Sequence, residues 1–193
     1  MRSISIATAL ALLASPIAVS AHLQAGATAP DFTTQGALGG KVMTVSLKQA
    51  LKKGPVVLYF YPKAFTQGCT LETREFAENN EEFQKAGATV IGMSADPIDL
   101  LQKFSVEECR NKFAVASAAP DVVKGYDVAF GAGRPGMSPE QLAQAAALTN
   151  RTSYVIAPNG KVIFVHSDLN YKEHVAKTLA AVRQWQAQNG KKS

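Results

Sequence analysis

Val56-Val57-Leu58-Tyr59-Phe60-Tyr61-Pro62-Lys63-Ala64-Phe65-Thr66-Gln67-Gly68-Cys69-Thr70 is the stretch on which the reading of the fold turns. Val56 to Tyr61 is continuously apolar, as suits a strand buried on both faces of a sheet that carries helices on either side. Pro62, Thr66 and Gly68 then turn the chain, and Cys69 arrives at the start of a helix expected to run to about Ala86. A thiol there lies near backbone N–H groups with no helical partner and at the positive end of the helix dipole. Both stabilise thiolate over thiol. A cysteine after a buried strand is also a common core residue, so the position by itself leaves a packing role open.

Upstream of this stretch, Ala29 to Phe32 begins an extended segment, Gly36 to Gly40 reads as a turn, and Val42 to Val45 alternates weakly like an edge strand. Ser46 is placed to cap a short helix over Leu47 to Leu51, closed by Lys52-Lys53-Gly54. On the expected helix after Cys69, Leu71, Phe76 and Phe83 mark an apolar face, and Gly87 ends it. Ala88 to Ser94 is a second buried strand. Asp96-Pro97 turns into a further helix that the pattern carries to about Phe113, with Cys109 near its end. Alternating strands and helices of this kind predict an α/β fold around a central sheet.

Residues 131–150 break the rhythm with a Gly- and Pro-rich loop, then Ser138-Pro139-Glu140-Gln141. That quartet predicts a capped helix to about Leu148, with Ser138 as cap and Gln141 as its reciprocal partner. Thr152 to Ala157 and Val162 to His166 read as a hairpin turned by Pro158-Asn159-Gly160-Lys161. A last helix from Tyr171 to about Gln188 carries Val175, Leu179, Val182 and Trp185 at helical spacing.

The chain has 193 residues and a formal net charge of +5. Residues 1–21 read as a cleaved secretory leader, with Arg2, an apolar stretch and Val19-Ser20-Ala21 before His22. The expected product is a single domain over 22–193 with a loop-helix insertion at about 131–150, located in the periplasm or otherwise exported. The apolar part of the leader is short for a bilayer span, so no stable membrane association is expected. Basic residues are scattered rather than clustered, which excludes a nucleic-acid surface. His22, His166 and His174 show no ligand spacing and read as surface residues, and no metal site is expected. The two cysteines, Cys69 and Cys109, could form a structural disulfide in an exported protein or act as a redox pair.

Several separated motifs, in order, resemble the peroxiredoxins, nearest to their bacterioferritin-comigratory or PrxQ-like branch. They are Ala29-Pro30-Asp31-Phe32, Phe60-Tyr61-Pro62-Lys63-Ala64, the Pro62-x-x-x-Thr66-x-x-Cys69 spacing, Glu72, and Arg151 to Ile156 ahead of the Pro158-Asn159-Gly160-Lys161 turn. The resemblance covers about Ala29 to Trp185. It implies a thioredoxin-like fold, a mixed β-sheet flanked by helices with an N-terminal β extension. It also implies a thiol peroxidase without metal or organic cofactor, taking hydrogen peroxide and organic hydroperoxides and regenerated by a thioredoxin-like or other dithiol reductant, as a monomer or weak dimer.

The same resemblance implies the roles. Cys69 is the peroxidatic nucleophile, Thr66 offers its hydroxyl to thiolate and substrate, and Pro62 walls the pocket. Arg151 stabilises the thiolate and the developing charge, and Glu72 orients Arg151. Arg74 stands where one subgroup has its resolving cysteine, and Cys109 resembles the resolving position of another, which implies an intramolecular Cys69–Cys109 disulfide. Phe65 and Gln67 depart from the Asp and Pro common in this branch. Two other readings stay open at this point. One is a thiol-disulfide oxidoreductase, though Cys69 is flanked at three residues by Thr66 and Glu72 rather than by the second cysteine of Cys-x-x-Cys. The other is a non-enzymatic redox-sensing module with a structural disulfide.

Overall fold

The computed structural model describes residues 22–131, 136, 138–145 and 147–190. The leader read at 1–21 and the centre of the Gly- and Pro-rich loop lie outside the described residues. In chain order the elements are β1 (Thr33–Leu38), β2 (Lys41–Ser46), α1 (Leu47–Leu51), β3 (Val56–Phe60), α2 (Gln67–Glu78) and α3 (Asn80–Lys85). Then come β4 (Thr89–Ser94), α4 (Ile98–Glu107), β5 (Ala114–Ser117), α5 (Pro120–Gly125) and α6 (Pro139–Ala145). The chain continues through β6 (Thr152–Ile156), β7 (Val162–Ser167), a 3-10 turn at Tyr171–Glu173, and α7 (His174–Asn189).

Among the described residues seven strands join one mixed sheet in the order β2-β1-β5-β4-β3-β6-β7. β3, β4 and β5 run parallel, while β6 pairs antiparallel with β3, and β1 pairs antiparallel with β5. The apolar run that opens the diagnostic stretch is therefore near the centre of the sheet, with every residue of β3 buried. Its side chains alternate between two cores. Val57, Tyr59 and Tyr61 join the cluster that holds Phe76, Phe83, Phe104, Val175 and Val182. Val56, Leu58 and Phe60 join the other, with Leu47, Val122 and Tyr126. Each such side chain contributes on the order of 1.5–3 kcal/mol when fully buried. Cys69 and Cys109 both belong to the first cluster.

The α/β class, the thioredoxin-like sheet and the N-terminal β hairpin agree with the sequence reading, and β2 is indeed an edge. Ser46 caps α1 through Gln49 N–H, and Ser138 and Gln141 form the expected reciprocal cap. Other boundaries differ. The long helix expected from Cys69 to Ala86 is two helices, because Asn79 leaves helical geometry (φ −94°, ψ 3°) and its amide donates back to Glu75 O at 2.9 Å. Leu71, expected on the apolar face, is 39 % exposed. α4 ends at Glu107 rather than near Phe113. Arg110 and Asn111 take left-handed φ values of 49° and 60°, and Asn111 N–H closes onto Ser105 O. Gly36 lies within β1, and the turn is at Gly39-Gly40. β5 and α5 have no counterpart in the sequence reading, and α6 ends at Ala145, short of Leu148.

Candidate active site

Antiparallel pairing sets Phe60 opposite Thr152, so the residue before β6 meets the turn that follows β3. Thr149 Oγ1 donates to Tyr61 O at 2.7 Å and fastens the approach to β6 against that turn. Arg151, 79 residues beyond Glu72, arrives in this way beside α2. The far side of the turn is held by Asp96, whose Oδ2 accepts from Ala64 N–H at 2.7 Å and from Ser94 Oγ at 2.8 Å. The sequence reading took Asp96 as part of the turn and cap ahead of the next helix. It is buried, and it pins the loop that leads to Cys69.

α2 begins at Gln67, and its first helical bond runs from Thr70 N–H to Thr66 O. The N–H groups of Gln67, Gly68 and Cys69 thus lie ahead of the helical ladder, at the positive end of the dipole. Cys69 is buried and is a free thiol. Arg151 Nη2 donates to its Sγ at 3.4 Å. Arg151 Nε donates to Leu169 O at 2.9 Å, and Nη1 is engaged by Glu72 Oε2. The guanidinium is therefore fixed on three sides. Burial alone would lower the Arg151 pKa, but Glu72 and Cys69 beside it raise it above its ordinary value. Its charge is permanent.

Gly68 makes this approach possible. A methyl carbon placed there would lie 3.2 Å from Arg151 Nη2. Pro62 is half-buried in the turn between β3 and α2. Phe65 sits in a left-handed conformation (φ 62°), 39 % exposed, with its ring edge-on to Phe104 at 5.1 Å. An apolar ring thus occupies the loop position where the resembling branch commonly has Asp.

Thr66 departs from its expected role. It is the N-cap by backbone position, but its hydroxyl makes no side-chain cap and donates instead to Lys63 O at 2.9 Å. In this conformation the hydroxyl is directed to the loop rather than to Cys69. The histidines depart further. His174, read as a surface residue, is fully buried, and the ring of half-buried His166 lies 4.6 Å from it. His174 Nε2 lies 2.9 Å from Asp168 O, Nδ1 lies 2.8 Å from Ser153 Oγ, and Nδ1 lies 3.6 Å from Glu72 Oε1. Burial pushes the Glu72 carboxyl up to about 8 against the pull of Arg151, and burial pushes His174 down to about 4. Ser153 entered the sequence reading only as part of the Arg151 to Ile156 motif, and nothing in sequence joined it to His174.

Cys109 lies two residues beyond α4 and is fully buried. It is a free thiol, and the two cysteines are not at disulfide distance. Burial pushes its thiol well above the usual range, with Glu108 adding to the effect. Among the described residues no group of three or more His, Cys, Asp or Glu is placed to hold a metal ion, and no helix is long and apolar enough to cross a membrane.

A buried thiol beside a fixed guanidinium, on a thioredoxin-like sheet, is the class that this geometry defines. The chain belongs to the AhpC/TSA family, whose model matches residues 25–165, and within it to the bacterioferritin-comigratory, PrxQ-like branch. A chloroplastic peroxiredoxin Q of Oryza sativa is 31 % identical over 162 residues, covering 83 % of this chain and 67 % of that protein. The crystal structure of peroxidoxin BcpB from Mycobacterium tuberculosis superposes with a TM-score of 0.69 at 31 % identity, covering 84 % of this chain and 98 % of that one. Two Helicobacter pylori relatives reach 45 % identity over 87 residues, and the match spans only 54 % of their length.

Proposed function

We propose that the protein is a thiol-dependent peroxidase that reduces hydroperoxides at Cys69. The observation that carries this reading is the Arg151 guanidinium on Cys69 Sγ at 3.4 Å, at the first turn of α2. The Cys69 thiolate attacks the distal oxygen of ROOH and forms an S–O bond as the O–O bond breaks. The sulfur is oxidised to sulfenic acid and the peroxide is reduced; the leaving RO⁻ takes a proton and departs as water or alcohol. The leading N–H groups of α2 and the guanidinium face the charge that develops along the O–O axis.

Cys109 is the resolving thiol in this reading. Its sulfur displaces hydroxide from the sulfenic acid, which leaves as water, and a dithiol reductant of the thioredoxin type restores both thiols. A disulfide needs Cα atoms within about 7 Å, so resolution requires local opening of the first turn of α2, of the segment around Cys109, or of both. The test is peroxide consumption with and without a thioredoxin-type dithiol, paired with peptide mapping after one equivalent of peroxide. Wild type is expected to turn over and to show an intramolecular Cys69–Cys109 bond. Cys69→Ser is expected to lose peroxide reduction, since a serine hydroxyl stays protonated and attacks O–O poorly. A Cys69→Ser protein that keeps its rate sinks the reading, and a Cys109→Ser protein that turns over normally makes this a one-cysteine enzyme.

A further inference from the structure

Three ionisable groups and one permanent cation share a space closed to water. Cys69 is 1 % exposed, Glu72 and His174 are 0 % exposed, and Arg151 is 5 % exposed. If Cys69 and Glu72 were both anionic and His174 neutral, one guanidinium would face two negative charges, and the buried site would carry a net negative charge. Uncompensated buried charge is costly. One further proton on Glu72 or His174 brings the site to neutrality.

The hydrogen bonds around His174 decide how that proton is held. Asp168 O can only accept, so Nε2 carries its hydrogen and donates to it. In the neutral ring Nδ1 is then a lone-pair acceptor. It takes the Ser153 hydroxyl, and it also faces Glu72 Oε1 at 3.6 Å. That carboxyl oxygen is buried and has no hydrogen-bond partner. An ionised carboxylate would turn an unpartnered oxygen toward a lone pair. A protonated carboxyl that shares the Nδ1 lone pair with the Ser153 hydroxyl, or a protonated imidazole whose Nδ1–H is shared between Ser153 Oγ and Glu72 Oε1, makes the same approach attractive.

We propose that His174 is a positioning residue for the Cys69 thiolate and acts through Glu72. The Glu72–His174 pair holds one proton between its two groups and so leaves the Arg151 guanidinium to the sulfur. The groups that face the pair agree with this. Arg151 on the approach to β6 and His166 on β7 disfavour a second positive charge on His174, while Asp168 opposes them. On the Glu72 side, Arg151 favours the carboxylate, whereas burial and Glu75 favour its protonated form. Because the two groups share one proton, the pair titrates as a unit.

This inference rests on Cys69 being the reacting thiol, and it is tested without peroxide. The rate of Cys69 alkylation by iodoacetamide, mapped by mass, is followed against pH in wild type, His174→Gln, Glu72→Gln and the double variant. A glutamine at 174 can still donate to Asp168 O but cannot take up a proton. Glu72 in that variant ionises at lower pH and competes for Arg151. Alkylation of Cys69 is then expected to slow by about 3- to 10-fold across the neutral range. Glu72→Gln, which fixes the site in its neutral form, is expected to abolish the effect of His174→Gln. His174→Asn, read in the same way, covers the case in which the glutamine variant does not fold. An unchanged profile in His174→Gln overturns the proposal, as does a shift of equal size with glutamine at 72. If wild type consumes no peroxide while this coupling is present, the peroxidase reading fails and the proton-sharing pair stands.

Discussion

At Gly68 the space between α2 and the Arg151 guanidinium admits a hydrogen and little more. A methyl group there would press on Nη2 at 3.2 Å, with Tyr171 Cδ1 behind at 3.9 Å. Contacts that tight require the neighbour to give, and the guanidinium is held by Leu169 O and Glu72. Gly68→Ala is therefore expected to displace Arg151 from Cys69 by a few tenths of an ångström and to slow peroxide attack roughly 10-fold, since small misplacements at a reacting centre are costly. Helicity should be kept, because alanine suits the position better than glycine. Stopped-flow rates with matched far-ultraviolet dichroism check both halves of the claim. At this scale Cys69 stood out by its place after the apolar run, while Arg151 and Glu72 were named only through the resemblance, because Arg151 is 79 residues beyond Glu72 and no local spacing joins them. Thr66 was legible as a cap position, but not the rotamer that turns its hydroxyl to Lys63 O. His174 was illegible: its partners Ser153, Asp168 and Glu72 come from three other parts of the chain, and a lone histidine at a helix start carries no trace of them.

Helix breaks followed the same rule at the scale of elements. Asn79 and the Arg110-Asn111 pair end helices through backbone conformations that the apolar pattern does not encode, so α2 and α4 were read too long. β5 is only four residues, begins just after the point to which the preceding helix was carried, and was not read at all. The consequence for Cys109 is specific. Its segment is laced to α2 and α3 by Arg74–Glu108 at 2.5 Å, Glu78–Arg110 at 3.1 Å and Glu81–Lys112 at 3.6 Å. The last two pairs are exposed and contribute little. Glu108 is buried and held by two guanidinium nitrogens, so it is the pair that fastens the segment. Arg74→Ala is expected to weaken that fastening by about 1–2 kcal/mol, between the exposed and buried cases. Local opening around Cys109 becomes easier by the same amount, and disulfide formation after one equivalent of peroxide should quicken about 5- to 30-fold. A quenched time course read by mass measures it, and an unchanged rate would mean that opening of this segment does not limit resolution.

Across the whole molecule the two cores of the sheet were legible from the continuous apolar run of β3, but the burial of His174 beside Glu72 was not. That cluster also sets how stability depends on pH. Unfolded, Glu72 and His174 take ordinary values of 4.5 and 6.5; folded, they stand at about 8 and about 4. Between pH 4.5 and 6.5 the unfolded pair binds one proton, on the histidine, and the folded pair also binds one. The pair then gives no slope. Above pH 6.5 the unfolded pair has lost its proton while the folded pair keeps one. The pair's contribution to stability then falls as pH rises, by about 1.4 kcal/mol per unit and so by about 2 kcal/mol up to pH 8. Glu72→Gln removes the raised carboxyl and leaves only the depressed imidazole, whose contribution is full above 6.5 and is lost as pH falls toward 4. The substitution is therefore expected to reverse the trend, with stability that no longer declines from 6.5 to 8 and that weakens on the acid side instead. Urea unfolding of both thiol-reduced proteins at half-unit steps from pH 4 to 8.5 reads the two slopes. Parallel curves for wild type and Glu72→Gln would show that this pair carries no proton of its own across that range.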